Sequence, residues 1–171
     1  MITTAEKTNL YEQLAQAFDE FIITLSSFND EEINRIPFTN SWTPAQVVVH
    51  IILATDGVPD RNTKASDRAY NANLPRIRPW WQDLNQKFKS PEPLHPDNKS
   101  HNKRELLSEL RRCRDKDLLI ISEKDLTEVC LDLELPTIGL LTRYEWLWFI
   151  EMHLRRHIFQ LKNMQHSNMW K

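Results

Sequence analysis

Apolar residues recur at spacings of three and four over four long stretches of the chain, the period of helices with one buried face. In the first stretch Leu10, Leu14, Phe18, Phe21, Leu25 and Phe28 share a stripe. Thr3 followed by Glu6 offers a capping box there: the hydroxyl accepts from a free backbone N–H and the carboxylate reaches back. This helix is expected to stop near Asn29-Asp30. The second opens at Thr43-Pro44-Ala45-Gln46, where Thr43 can cap and Gln46 can close the box. Pro44 occupies the first helical position, where its missing N–H costs nothing. Val47, His50, Ile51 and Ala54 then lie on one face, and Gly57 and Pro59 end the helix.

A third long helix is expected to start near Asn102, with Glu105 as box partner and Leu106, Leu107, Leu110, Leu118 and Ile121 on its buried side. Val129, Leu131, Leu133 and Leu135 alternate with polar residues, which predicts an extended arm or short strand, turned by Pro136 and Gly139. The last helix opens at Thr142, with Glu145 three residues on, and runs to about His166. Between the second and third helices, residues 60–100 are broken by prolines at 75, 79, 91, 93 and 96. Short helices around Ala65–Ala72 and Trp80–Phe88 are the expectation there. Four long helices joined by loops form the pattern of an all-α bundle.

The length of 171 residues suits a single domain over residues 1–171. A hydrophobic content of 40% with 27% charged residues supports a globular core. Only two glycines occur, which excludes glycine-rich phosphate loops and disfavours an all-β fold. A formal net charge of −2 argues against a general nucleic-acid binder. The local run Arg104, Arg111, Arg112 and Arg114 is interleaved with Glu105, Glu109, Asp115 and Asp117, and so reads as a solvated helix face. No apolar stretch approaches membrane-spanning length, and the N-terminal residues lack the basic and apolar regions of a secretory signal. Cys113 and Cys130 stand apart without CxxC spacing, as expected of buried free thiols in a reducing compartment. A cytoplasmic protein is the expectation.

The candidate chemistry lies on the last helix, where Trp146, Phe149, Ile150, His153, His157, Gln160, Leu161 and Met164 form one stripe. Residues i and i+4 of a helix stand about 6 Å apart at Cβ, so His153 and His157 can point at one place. His50 lies on the apolar face of another helix expected in the same core. Taken singly, each of these histidines reads as packing sooner than as a ligand. Together they favour a metal: a buried imidazole must satisfy two nitrogens, and protonating several in a low-dielectric interior is costly. A divalent cation takes one nitrogen from each neutral ring. Imidazole suits zinc, nickel and iron alike. His95, His101 and His166 read as surface residues. Asp56 and Glu151 are the carboxylates nearest these histidines in sequence, and both read as surface groups ahead of general bases. Trp42, Trp80, Trp81, Trp146 and Trp148 either line a pocket or fill core and interface.

The segment Ser41-Trp42-Thr43-Pro44-Ala45-Gln46 leading to His50 resembles the second helix of the DinB-like metalloenzyme superfamily. So do Gly139 to Leu147 and the following His153-Leu154-Arg155-Arg156-His157 with Gln160. The resemblance spans nearly the whole chain in helix order. It implies an up-down-down-up four-helix bundle, a divalent metal held by His50, His153 and His157, and a homodimer. It also implies a small-molecule substrate, with a low-molecular-weight thiol as a candidate partner, since characterised relatives include thiol-dependent S-transferases and mycothiol-dependent maleylpyruvate isomerase. Three protein ligands leave positions open for water or a thiolate, so both a hydrolase and a thiol transferase stand as readings. A metal-stabilised bundle acting in binding or stress response, without catalysis, is the alternative.

Overall fold

A computed structural model describes residues 1–84 and 90–166. Among the described residues five α-helices carry just over half: α1 (Thr4–Ser26), α2 (Pro44–Ala54), α3 (Leu74–Gln82), α4 (Lys103–Glu123) and α5 (Arg143–Gln165). Of the four capping boxes expected, those at Thr3, Thr43 and Thr142 are formed. At the fourth, Asn102 caps α4 by accepting from the N–H groups of Arg104 and Glu105, and Glu105 does not complete a box. Each such cap satisfies backbone donors that the first helical turn leaves without partners.

The four long helices form the bundle. α1 packs against α4 and α5, α2 also packs against both, and α3 lies on α5. Leu10, Leu14, Ala17, Phe18, Phe21 and Leu25 of α1 are completely buried, joined by Ile51, Leu110, Leu147, Leu154 and Leu161 from the other long helices. Full burial of one such leucine or phenylalanine side chain is worth about 1.5–3 kcal/mol, so this seam is the main source of cohesion.

Three expectations need correction. α1 ends at Ser26, ahead of Asn29-Asp30, as Thr24, Ser26 and Ser27 turn their hydroxyls back onto carbonyls of the last turn. The Asn29 side chain then accepts from Glu31 and Glu32 to start a new one-turn helix (Glu32–Asn34). Ala65–Ala72 is not helical. Arg68 donates both terminal nitrogens to the Glu145 carboxylate at 2.8 and 2.7 Å, the Asn73 N–H donates to the same group at 2.6 Å, and Thr142 donates to the Tyr70 carbonyl. These long-range bonds hold the segment in turns. The helix expected over Trp80–Phe88 begins earlier, at Leu74, and ends at Gln82; its residues from 85 on lie outside the described residues.

The fold is also not purely helical. β1 (Thr63–Lys64), β2 (Val129–Leu135) and β3 (Gly139–Thr142) form an antiparallel sheet in that order. The pairing of β2 with β3 shifts between Val129 and Glu134. The two-residue alternation is therefore not translated into one buried face: Val129, Cys130 and Leu135 are buried, whereas Leu131 and Leu133 are 40% and 53% exposed. The hairpin turn takes positive φ at Thr137 (66°) and Gly139 (101°), a conformation glycine adopts without strain.

Candidate metal centre

His50 is set by the start of its helix. Thr43 accepts from the Gln46 N–H at 3.1 Å, and Gln46 Oε1 accepts from the Thr43 N–H at 3.0 Å. The Gln46 amide also donates to the Asp97 carbonyl and the Asn98 side chain, tying the 94–98 segment to the foot of α2. That segment supplies the partner of His50: Nδ1 lies 2.9 Å from the Leu94 carbonyl, with Ser90 Oγ at 3.4 Å. One backbone loop thus orients a side chain that α2 delivers to the bundle interior.

His153 and His157 come from α5 one turn apart, with ring centroids separated by 4.8 Å. His50 Nε2 stands 3.1 Å from His153 Nε2, and His157 Nε2 stands 3.0 Å from the same atom. Nitrogens bound tetrahedrally at about 2.0–2.1 Å from a zinc ion sit about 3.3 Å apart, so a small outward movement of the rings fits one ion. Among the described residues, His50, His153 and His157 are the one group of three or more His, Cys, Asp or Glu side chains close enough to share a metal.

The hydrogen bonds also select the donor atoms. Because a carbonyl only accepts, His50 Nδ1 carries the proton that reaches Leu94, and its Nε2 presents a lone pair. His157 is placed the same way by Gln160, whose Oε1 accepts from Nδ1 at 2.6 Å. Two lone pairs therefore converge on His153 Nε2, which has at most one proton to donate. His153 Nδ1 is itself buried without a hydrogen-bond partner. A cation bound by all three Nε2 atoms removes this mismatch, and the donor set is that of a nitrogen-ligated divalent metal.

Burial holds the rings neutral. His50 and His153 are 4% and 7% exposed, and desolvation lowers the pKa of both, that of His153 to well below the usual range. His157 is held at about 3, mainly by desolvation and then by its proximity to His50. Neutral imidazole is the form that binds metal. Two indoles flank the group: Trp42 lies 5.3 Å from His50 and Trp81 5.1 Å from His153, centroid to centroid, with Phe149 next to Trp81 at 5.0 Å.

The remaining sequence candidates fall elsewhere. Asp56 is bound by Arg112 and Lys116 at 2.8 and 2.9 Å, which lowers its pKa to about 2 and leaves it no role at the histidines. Glu151, expected at the surface, is buried; it pairs with Arg155, and desolvation raises its pKa. Trp146 is core and Trp148 packs on Tyr144, while Trp80 is partly buried. His95 and His166 are exposed, and His101 pairs with Asp97. Burial raises the Cys113 and Cys130 thiols to about 11 and about 12, the range of unreactive cysteines.

The Leu94 carbonyl has no side-chain signature, so sequence reasoning missed it. Asp117, read with Glu105, Glu109 and Asp115 as part of a solvated helix face, needs correction. It is completely buried, and desolvation raises its pKa well above the usual range. Its place seven residues after Leu110 and four after Cys113, on the apolar stripe of α4, was the available signal.

Known proteins share this arrangement of helices. The model of the DinB superfamily matches residues 13–161. The solved structure of YfiT from Bacillus subtilis, described as a probable metal-dependent hydrolase with an unusual four-helix bundle topology, superposes with a TM-score of 0.63. That likeness covers 100% of this chain and 92% of YfiT at 14% identity, a level that speaks for the fold. No curated protein sequence matches the chain.

Proposed function

The chain belongs to the DinB superfamily, and from that premise we propose that it is a metal-dependent hydrolase of a small molecule, with His50, His153 and His157 as the ligands of one divalent ion. The observation that carries this reading is the convergence of three neutral Nε2 atoms within about 3 Å steps of one another, two of them aimed by acceptors on Nδ1. Three uncharged ligands leave the ion its full charge, and such an ion supplies Lewis acidity that activates water near neutral pH.

The chain's own contribution is placement. Leu94 and Gln160 hold two rings in register. Trp42 and Trp81 shield the ring faces from water, which strengthens every charge interaction inside. Among the causes that hold these rings neutral, desolvation by burial comes first for each. The neutral three-imidazole donor set equally suits an anionic thiolate as the reacting partner, so transfer to or from a small thiol is the second reading.

Metal analysis of protein purified without chelator is expected to find one divalent ion per chain. Ester and amide panels, run beside small thiols with electrophiles, then separate the two reactions. Turnover that disappears on chelation and returns with metal supports an enzyme. Bound metal without turnover across both panels rejects catalysis in favour of a metal-stabilised binding protein.

A further inference from the structure

We propose that Gln46 is a positioning residue for the ligand His50, so that metal affinity depends on an amide at position 46. Its side-chain oxygen closes the cap of α2, while its amide nitrogen fastens the loop whose Leu94 carbonyl fixes the His50 ring. The inference rests on the metal-site reading above and adds what holds the geometry of that site.

The residue that completes the capping box differs among the three helices that form one. At α1 and α5 it is Glu6 and Glu145, and further donors face each carboxylate. These are the Tyr70 hydroxyl on Glu6, and the Arg68 guanidinium and Asn73 N–H on Glu145. At α2 it is Gln46, and a pair of acceptors faces it. Gln46 Oε1 accepts from the Thr43 N–H at 3.0 Å, while Nε2 donates to the Asp97 carbonyl at 3.1 Å and to Asn98 Oδ1 at 3.2 Å. A glutamate closes the same box and suits a helix N-terminus, but it has no proton for either acceptor.

Those two bonds matter because packing does little for this loop. No residue from 91 to 100 is buried, so polar anchors set its position. Gln46 and His50 stand one turn apart on α2 and grip the loop at two points, Asp97 and Leu94. Farther along, His101 Nε2 lies 2.8 Å from the Asp97 carboxylate, and the His101 backbone exchanges two hydrogen bonds with the Asn34 side chain at 2.9 and 3.0 Å. Without the amide of Gln46 the loop loses its hold on the foot of α2. The Leu94 acceptor, three residues before Asp97, is then free to drift from the Nδ1 proton whose position leaves the Nε2 lone pair facing inward.

The test uses Gln46→Glu made together with Asn98→Ala, so that no amide at 98 can turn to meet the new carboxylate; Asn98→Ala alone is the baseline. Thr43→Val is the control: it removes the capping hydroxyl but keeps the backbone N–H that Gln46 accepts, and so weakens α2 without touching the loop. Zinc affinity is measured on metal-stripped full-length protein by competition with a chromogenic chelator. The double variant is expected to bind zinc about tenfold more weakly than Asn98→Ala, with helix content unchanged by circular dichroism. Thr43→Val should unfold at lower urea yet bind zinc within about twofold of native. In metal-free protein with isotope-labelled histidine, the Nδ1 proton of His50 should exchange with solvent faster in the double variant than in Asn98→Ala. That of His157, held by Gln160, should be unchanged. Zinc affinity or His50 exchange equal to that of Asn98→Ala overturns the proposal, as does an equal loss of zinc in Thr43→Val. Native protein that takes up no zinc or other divalent ion overturns the metal reading instead, and the His50 exchange rate still decides whether Gln46 holds the ring.

Discussion

Replacing Gln160 with leucine isolates the weight of one orienting hydrogen bond. In the native protein Gln160 Oε1 lies 2.6 Å from His157 Nδ1, fixing the tautomer whose Nε2 lone pair faces His50 and His153. Leucine keeps comparable bulk and removes the acceptor. Two costs follow for metal binding. Freedom to exchange tautomers and rotate costs a fraction of a kcal/mol. Loss of a hydrogen bond from an imidazole made more acidic by a bound cation costs about 1.5–3 kcal/mol, nearer the lower figure here because water can reach this partly exposed ring. The expected loss in affinity is about tenfold to a hundredfold, equivalent to about 1.4–2.7 kcal/mol. Competition against a chromogenic chelator measures this directly, with circular dichroism confirming unchanged helix content. Gln160→Glu, which restores an acceptor and adds charge, should bind at least as tightly as the native chain. Affinity of Gln160→Leu within twofold of native would refute the claim that this bond positions a ligand.

Three further outcomes are expected. His153→Ala, which removes the nitrogen common to both short Nε2 distances, should abolish stoichiometric metal with the helices retained; full occupancy by elemental analysis would reject the centre. Asp117 titrates above its unfolded value of 3.8, so the folded state holds its proton to higher pH and stability declines as pH rises above that value, by about 1.4 kcal/mol per unit until the folded carboxyl ionises. Asp117→Asn should therefore be more stable than native at pH 8 and close to it at pH 4 by urea unfolding, and an equal difference at both would contradict the assignment. Asp56 has the opposite sign: its pKa is lowered from 3.8 to about 2, so its contribution is present above 3.8 and is lost as pH falls through about 2. Its side chain is 42% exposed, so Asp56→Asn should cost only about 0.5 kcal/mol at pH 7 and nothing near pH 1.5, measured by denaturant unfolding.

The helices were legible because their signals are local. A three-to-four spacing of apolar residues and a threonine ahead of glutamate or glutamine act within one or two turns, and α1, α2 and α5 start where those signals stand. The misreadings share another cause. Ala65–Ala72 has its hydrogen bonds taken by Glu145 and Thr142, more than 60 positions away, and the alternating leucines of β2 depend on a strand register that no local pattern encodes.

The candidate site divides in the same way. Sequence alone determined that His50, His153 and His157 occupy buried helix faces, since periodicity states which residues point inward, and that His153 and His157 share one side of one helix. Tertiary structure decided that α2 meets α5 at the height that brings His50 Nε2 to 3.1 Å from His153, and that the Leu94 carbonyl and Gln160 choose the nitrogens that face inward. It also withdrew Asp56 and Glu151 into ion pairs. The physical reason is range: helix periodicity repeats every few residues, whereas the partner of a donor or a charge is chosen by packing between segments far apart in the chain.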